Sequence, residues 1–253
     1  MAIIAVAGDA CTTTAVALAS AWPASDDTIL VEVDPTGGDL AAWFDMTTSP
    51  SLSTVVTRVL DGSWPEIERL TRMSESGLRM IPAPPRAGEA AQAVGESARS
   101  LVTTLATLRS PIVIADTGRL QHSPGSHPFV GSSAVTVVVH HQATQSSRAA
   151  AVRLQRLADQ LDALSSVPAS VVVAVIGAAP FELGEIESFL AESVGSSAVV
   201  GLPVDELAAA VFGGRTGVSS RRLARLPLMR ASRDLAAAAE HALRVAAAGL
   251  WTS

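Results

Sequence analysis

The sequence predicts one doubly wound α/β domain over residues 1–250, built on a mostly parallel sheet. Three observations carry this. Apolar runs of strand length alternate with helical patterns along the whole chain. The strand runs are continuously apolar rather than alternating, as strands buried on both faces require. Hydrophobic residues make up 48% of the 253 residues and charged residues 17%, enough for a large core and too little charge for a disordered chain.

Residues 2–8 (AIIAVAG) are a β-branched run closed by glycine, hence a buried strand. Residues 13–22 read as a helix stopped by Pro23. Residues 28–34 (TILVEVD) are a second strand, and Pro35, Thr36, Gly37 and Gly38 turn the chain into a helix over 39–45. Shorter helices follow at 53–60 and 65–73, a strand at 77–82 and a long helix at 89–109. Strands follow at 111–116 (PIVIAD) and 134–140 (AVTVVVH), then a helix over 145–164 and a strand at 170–176 (SVVVAVI). A helix at 183–194, a last strand at 198–202 and helices near 221–224 and 231–248 complete the chain. The Ser/Pro/Gly stretches at 83–88 and 123–126 read as loops.

Composition excludes several chemistries. All 18 basic residues are arginine, so no lysine exists for a Schiff base, a general base or a phosphate contact. The single cysteine, Cys11, excludes an intramolecular disulfide framework and a cysteine-rich zinc site. No positively charged leader precedes the first apolar run, and no apolar run is long enough to span a bilayer, so a cytoplasmic protein is expected. The net charge is −6, yet residues 212–253 hold seven arginines against two acids. Arg215, Arg221, Arg222, Arg225, Arg230 and Arg233 are therefore a candidate surface for an anionic partner, with non-specific DNA the first choice; a merely solvated helix face is the alternative.

In doubly wound sheets, ligands bind beyond the carboxyl ends of the strands. Three such ends carry candidate chemistry. After the first strand, Gly8, Asp9, Ala10, Cys11, Thr12, Thr13 and Thr14 lead into a helix, where backbone amides and the helix dipole favour an anion; a plain strand-to-helix turn capped by threonine is the alternative. After the second come Glu32 and Asp34; after the strand at 111–116 come Asp116, Thr117 and Gly118. Carboxylates at neighbouring strand ends, facing a hydroxyl-rich loop, suit a Mg²⁺-bound phosphate. Cys11 reads as a buried small residue, and His140 and His141 point to opposite faces of their strand. Trp43, Phe44 and Trp64 are candidates either for covering the sheet or for a partner surface.

This order of pieces resembles the ParA/MinD family of P-loop ATPases, which have a deviant Walker A loop. The resemblance aligns Ala7 with the signature lysine, Gly8 and Asp9 with the first two glycines and Cys11 with the third. Thr12 then stands at the phosphate lysine and Thr13 at the Mg²⁺ hydroxyl. Asp34 falls at the water-activating switch residue, Asp116 at the Walker B end, and Pro203 and Asp205 in the segment near the adenine. Gly177 stands where many relatives place an asparagine for the base. The resemblance thus implies Thr13, Asp34 and Asp116 as Mg²⁺ ligands if nucleotide binds. Both loop lysines are missing, and Asp9 adds a negative charge to the loop. The expectation is a catalytically degenerate member of this family: a cytoplasmic scaffold or adaptor for positioning, partition or secretion-type machinery. It would require no cofactor, bind ATP–Mg²⁺ weakly, form a homodimer, hold a protein partner and avoid membranes. Two alternatives are a slow ATPase using Arg119 or an arginine of 215–225 in place of lysine, and a DNA-binding partition protein acting through the C-terminal arginines.

Overall fold

The computed structural model describes residues 3–23, 27–58, 64–95, 98–107, 110–120, 124–142, 146–195 and 197–249. In chain order the elements are β1 (Ile3–Gly8), α1 (Cys11–Ala21), β2 (Thr28–Glu32), α2 (Leu40–Trp43), α3 (Leu52–Arg58), α4 (Trp64–Leu70), β3 (Arg72–Met73) and β4 (Arg79–Ile81). Then come α5 (Ala87–Val94), α6 (Ala98–Thr107), β5 (Ile112–Asp116), a 3₁₀ turn (Pro124–Ser126), α7 (Pro128–Gly131), β6 (Val135–His141) and α8 (Ser147–Leu164). The chain continues through β7 (Ser170–Ile176), α9 (Leu183–Val194), β8 (Ala198–Leu202), α10 (Glu206–Phe212), α11 (Ser220–Leu223) and α12 (Pro227–Gly249).

The eight strands form one sheet in the order β3-β4-β2-β5-β1-β6-β7-β8. All neighbours are parallel except β3 and β4. The central strand β1 is flanked by β5 and β6, with Val6 opposite Asp116 and Gly8 opposite Val139. Glu32 at the end of β2 also lies opposite Asp116. The period-two geometry of strands divides their side chains between two faces. Ile4, Val6, Leu30 and Ile114 pack under α1, α10 and α12. Ile3, Ile29, Val31 and Val113 pack under α3, α5 and α6, while Ala5, Val138 and Val173 pack under α8 and α9. No helix among the described residues is long and apolar enough to cross a membrane.

Several expectations need correction. The helix expected over 89–109 is two helices, α5 and α6, separated after Val94 by Gly95. Arg72 and Met73, expected at the end of a helix, form an antiparallel edge strand against β4. The first helix begins at Cys11, two residues early, because Ala10 takes up the left-handed turn at φ 48°. The C-terminal helix, expected over 231–248, begins at Pro227 and buries Leu228, Leu235 and Ala239 against the sheet side occupied by α1. Trp43 and Phe44 pack on the α1 face and Trp64 on the opposite one, so the three aromatic side chains do not form a single patch. The parts of predicted elements at residues 2, 59–60, 96–97, 108–109 and 145, loop residue 123, and the ends of the expected domain at 1 and 250 lie outside the described residues.

Candidate functional site

The loop after β1 is held by its neighbours. The Gly8 amide donates to the Gly118 carbonyl at 3.0 Å and the Asp9 amide to the Val139 carbonyl at 2.9 Å. Thr117 donates its amide (2.9 Å) and its hydroxyl (3.0 Å) to the Val6 carbonyl. Gly8 adopts φ +117°, and a Cβ there would collide with the Val139 carbonyl oxygen, so glycine is required on two grounds. From Ala10 the chain enters α1. The amides of Cys11, Thr12 and Thr13 open the helix without intrahelical acceptors, the arrangement that attracts an anion. The Thr14 hydroxyl turns back to the Ala10 carbonyl at 3.0 Å and its side chain is buried. It stabilises the first turn and does not line the cavity.

That cavity, about 360 Å³, is lined by Gly8, Asp9, Ala10, Cys11, Thr12, Thr13, Asp34, Thr36, Trp43 and Arg119. It therefore gathers the loop after β1, the loop after β2 and the residue following Gly118. The Asp34 carboxylate accepts from both the amide and the hydroxyl of Thr36 at 2.7 Å, forming an Asx turn. Gly118, at φ +73°, packs so closely that any side chain there would strike the Asp34 carboxylate.

Two buried carboxylates support this rim. Glu32 accepts the amides of Asp39 (2.7 Å), Leu40 (3.1 Å) and Ala83 (2.8 Å). It ties the end of β2 to the start of α2 and to the segment after β4, which is a structural use of the residue. Burial pushes its pKa up to about 7, although the three amides pull the other way. Asp116 is buried at the end of β5 and accepts the Gly118 amide at 3.3 Å through Oδ1. Burial raises its pKa to about 6, against the nearby Thr12 hydroxyl. Its Oδ2 is buried and has no hydrogen-bond partner among the described residues. Cys11 lies beside it, and burial holds the thiol far above the ordinary cysteine range, which disfavours the thiolate.

Asp9 lines the cavity, but its carboxylate is already engaged from the side of α8. Its carboxylate accepts from Arg153 Nη2 of α8 at 2.6 Å and from the His141 amide at 3.1 Å. The sequence carries no signal for this pair, whose members lie 144 positions apart. Further away, Asp205 caps α10 through the Ala208 amide (3.0 Å) and accepts the Leu228 amide (3.1 Å). Neither it nor Pro203 lines this cavity. The side chains of Arg215, Arg221, Arg222, Arg225, Arg230 and Arg233 are all exposed, and among the described residues none forms an ion pair.

No family model and no curated protein matches this sequence significantly. Solved structures do. A ParA family ATPase from Chlorobium tepidum superposes with a TM-score of 0.69 at 15% identity, covering 93% of this chain and 97% of that one. The fold is that of the ParA-type P-loop ATPases. A variant of Cyanothece McdA in complex with ATP gives a TM-score of 0.63 at 14% identity over 94% and 95% of the two chains. A plasmid partition protein from Borrelia burgdorferi bound to AMPPNP gives 0.62 at 12% identity over 94% and 97%.

The ParA fold implies a nucleotide and Mg²⁺, which can be tested on the residues present. The open amides of α1 and the unpartnered Asp116 Oδ2 fit a phosphate and a cation respectively. Among the described residues, Arg119 is the one cation lining the cavity, and Thr12 occupies the loop position where the family resemblance would put the phosphate lysine.

Proposed function

We propose that this chain is an adaptor of the ParA fold, serving positioning- or partition-type machinery by binding a protein partner without turning over ATP efficiently. One observation carries the reading: the cavity at the end of β1 has the backbone of a phosphate cradle without its lysine. Phosphoryl transfer is catalysed mainly by positioning and charge stabilisation, and removing one such cation typically costs about 10³-fold or more. Asp34 and Thr13 line the cavity and Asp116 lies buried behind it; in this reading any Mg²⁺ would be held by these three residues. The partition or positioning role is carried over from the proteins of similar fold named above. The reading retains a homodimer, with an interface no longer resting on Trp43, Phe44 and Trp64 together.

The test is steady-state ATP turnover by the purified chain, with Asp116→Ala and Arg119→Ala beside it. Turnover no higher than that of Asp116→Ala is expected. Turnover abolished by both substitutions would refute the adaptor reading and establish a slow ATPase using Arg119. A DNA-binding role is a second reading, favoured by the six exposed arginines that have no ion-pair partner among the described residues.

A further inference from the structure

A second cavity, about 310 Å³, adjoins the first across Gly8, Asp9 and Arg119. Its far wall is α8, which contributes Arg153, Arg156 and Gln160. These lie at i, i+3 and i+7, so one helical face presents two guanidinium groups and an amide to the same space. Arg119 enters from the loop after β5. Leu120, Val139 and Leu157 supply apolar wall.

The charges are unevenly satisfied. The guanidinium groups of Arg119 and Arg156 have no hydrogen bond or ion pair among the described residues, whereas Arg153 is held by Asp9. His140, also lining the cavity, is kept neutral by burial, which lowers its pKa. Three arginines against one carboxylate leave two positive charges in excess on a chain whose net charge is −6. A carboxylate ligand would neutralise one of them; a doubly charged phosphate neutralises both, and its oxygens suit the guanidinium fork. The Asp9–Arg153 pair is 2.6 Å long, but both side chains are more than a third exposed (37% and 40%), so solvent screens it and little opposes its replacement.

We propose that this cavity is a phosphate-anion site, separate from the nucleotide cradle, in which the ligand is gripped by Arg119, Arg153 and Arg156 and displaces the Asp9 carboxylate from Arg153. Asp9 belongs to the loop after β1, so occupancy of the second cavity is felt at the first. The inference does not depend on whether the chain hydrolyses ATP.

Calorimetric titration of the full chain with inorganic pyrophosphate at low ionic strength tests it, and a non-hydrolysable ATP analogue serves as a second probe. Pyrophosphate should bind, and Arg156→Ala or Arg156→Gln should weaken it about tenfold or more. Arg156 lines the second cavity and not the first, so this effect separates the two sites. Asp9→Asn, which removes the internal competitor, should tighten binding several-fold. If the analogue rather than pyrophosphate shows this dependence on Arg156, the ligand is the phosphate chain of a nucleotide. If neither probe binds the parent, or both bind equally well to the Arg156 variants, the proposal is wrong.

Discussion

Glu32 offers the most direct quantitative check on the site's construction. Its carboxyl group is buried at the rim with a pKa near 7, against an ordinary value of 4.5. The group is therefore protonated at a higher pH in the folded chain than in the unfolded one. The folded state binds more protons between these two values, so the contribution of Glu32 to stability falls as pH rises through that window. Above pH 7 the cost of burying the ionised group is fully present; below pH 4.5 it is fully relieved. With these values, going from pH 8 to pH 5.5 should return about 2 kcal/mol to the folded state. Glu32→Gln cannot ionise and should lack this component. His127 and His140 are held below the usual histidine range by burial and act in the opposite direction, losing stability as pH falls through 6.5. Both are present in parent and variant, so they cancel in the difference. Urea unfolding of the two proteins at pH 8 and 5.5 should show the parent gaining about 2 kcal/mol relative to the variant at the lower pH. The variant also leaves one of the three amides without an acceptor, which costs about 1–3 kcal/mol equally at both pH values and drops out of the comparison. Parallel pH dependences would refute the placement of Glu32 as a buried, amide-bound acid.

Gly8→Ala places a methyl group against the Val139 carbonyl at a φ that only glycine adopts freely, and should cost about 3 kcal/mol or more in the same unfolding experiment; an unchanged midpoint would mean that the loop is shaped differently. The triple variant Arg221→Ala/Arg222→Ala/Arg225→Ala should weaken binding of random duplex DNA at low salt by about tenfold or more and flatten its salt dependence. Equal binding by parent and variant in a fluorescence polarisation assay, or none by the parent, would remove DNA from the list of partners.

The strands were legible because they are continuous apolar runs, and burial on both faces is the condition that produces such runs. Residues 134–140 and 170–176 became β6 and β7 nearly unchanged. Short edge elements were not legible. Arg72 and Met73 are strand residues only because β4 lies beside them, and nothing in a two-residue segment announces that. The break at Gly95 leaves no mark in the pattern, because helical periodicity resumes at Ala98 and a single glycine costs an isolated helix only about 1 kcal/mol. At the site, the sequence located the loop after β1 and the carboxylates at the ends of β2 and β5. It misjudged Asp9, which read as a bare charge among phosphate ligands. Arg153 of α8 changes that meaning, and a pairing across the fold leaves no trace in local pattern. Arg156 and Gln160 went unnoticed for the same reason: the second cavity exists only where α8 docks against the ends of β1 and β5.

The loops after β1 and β5 are stitched together by Gly8 to Gly118 and by Thr117 to Val6, and both grow from strands in the middle of the sheet. They consequently form one hydrogen-bonded plate continuous with the centre of the sheet. Such a plate draws its shape from the backbone and from the core beneath it, not from whatever occupies it. A site built this way can change its charge residue by residue while its geometry stays put.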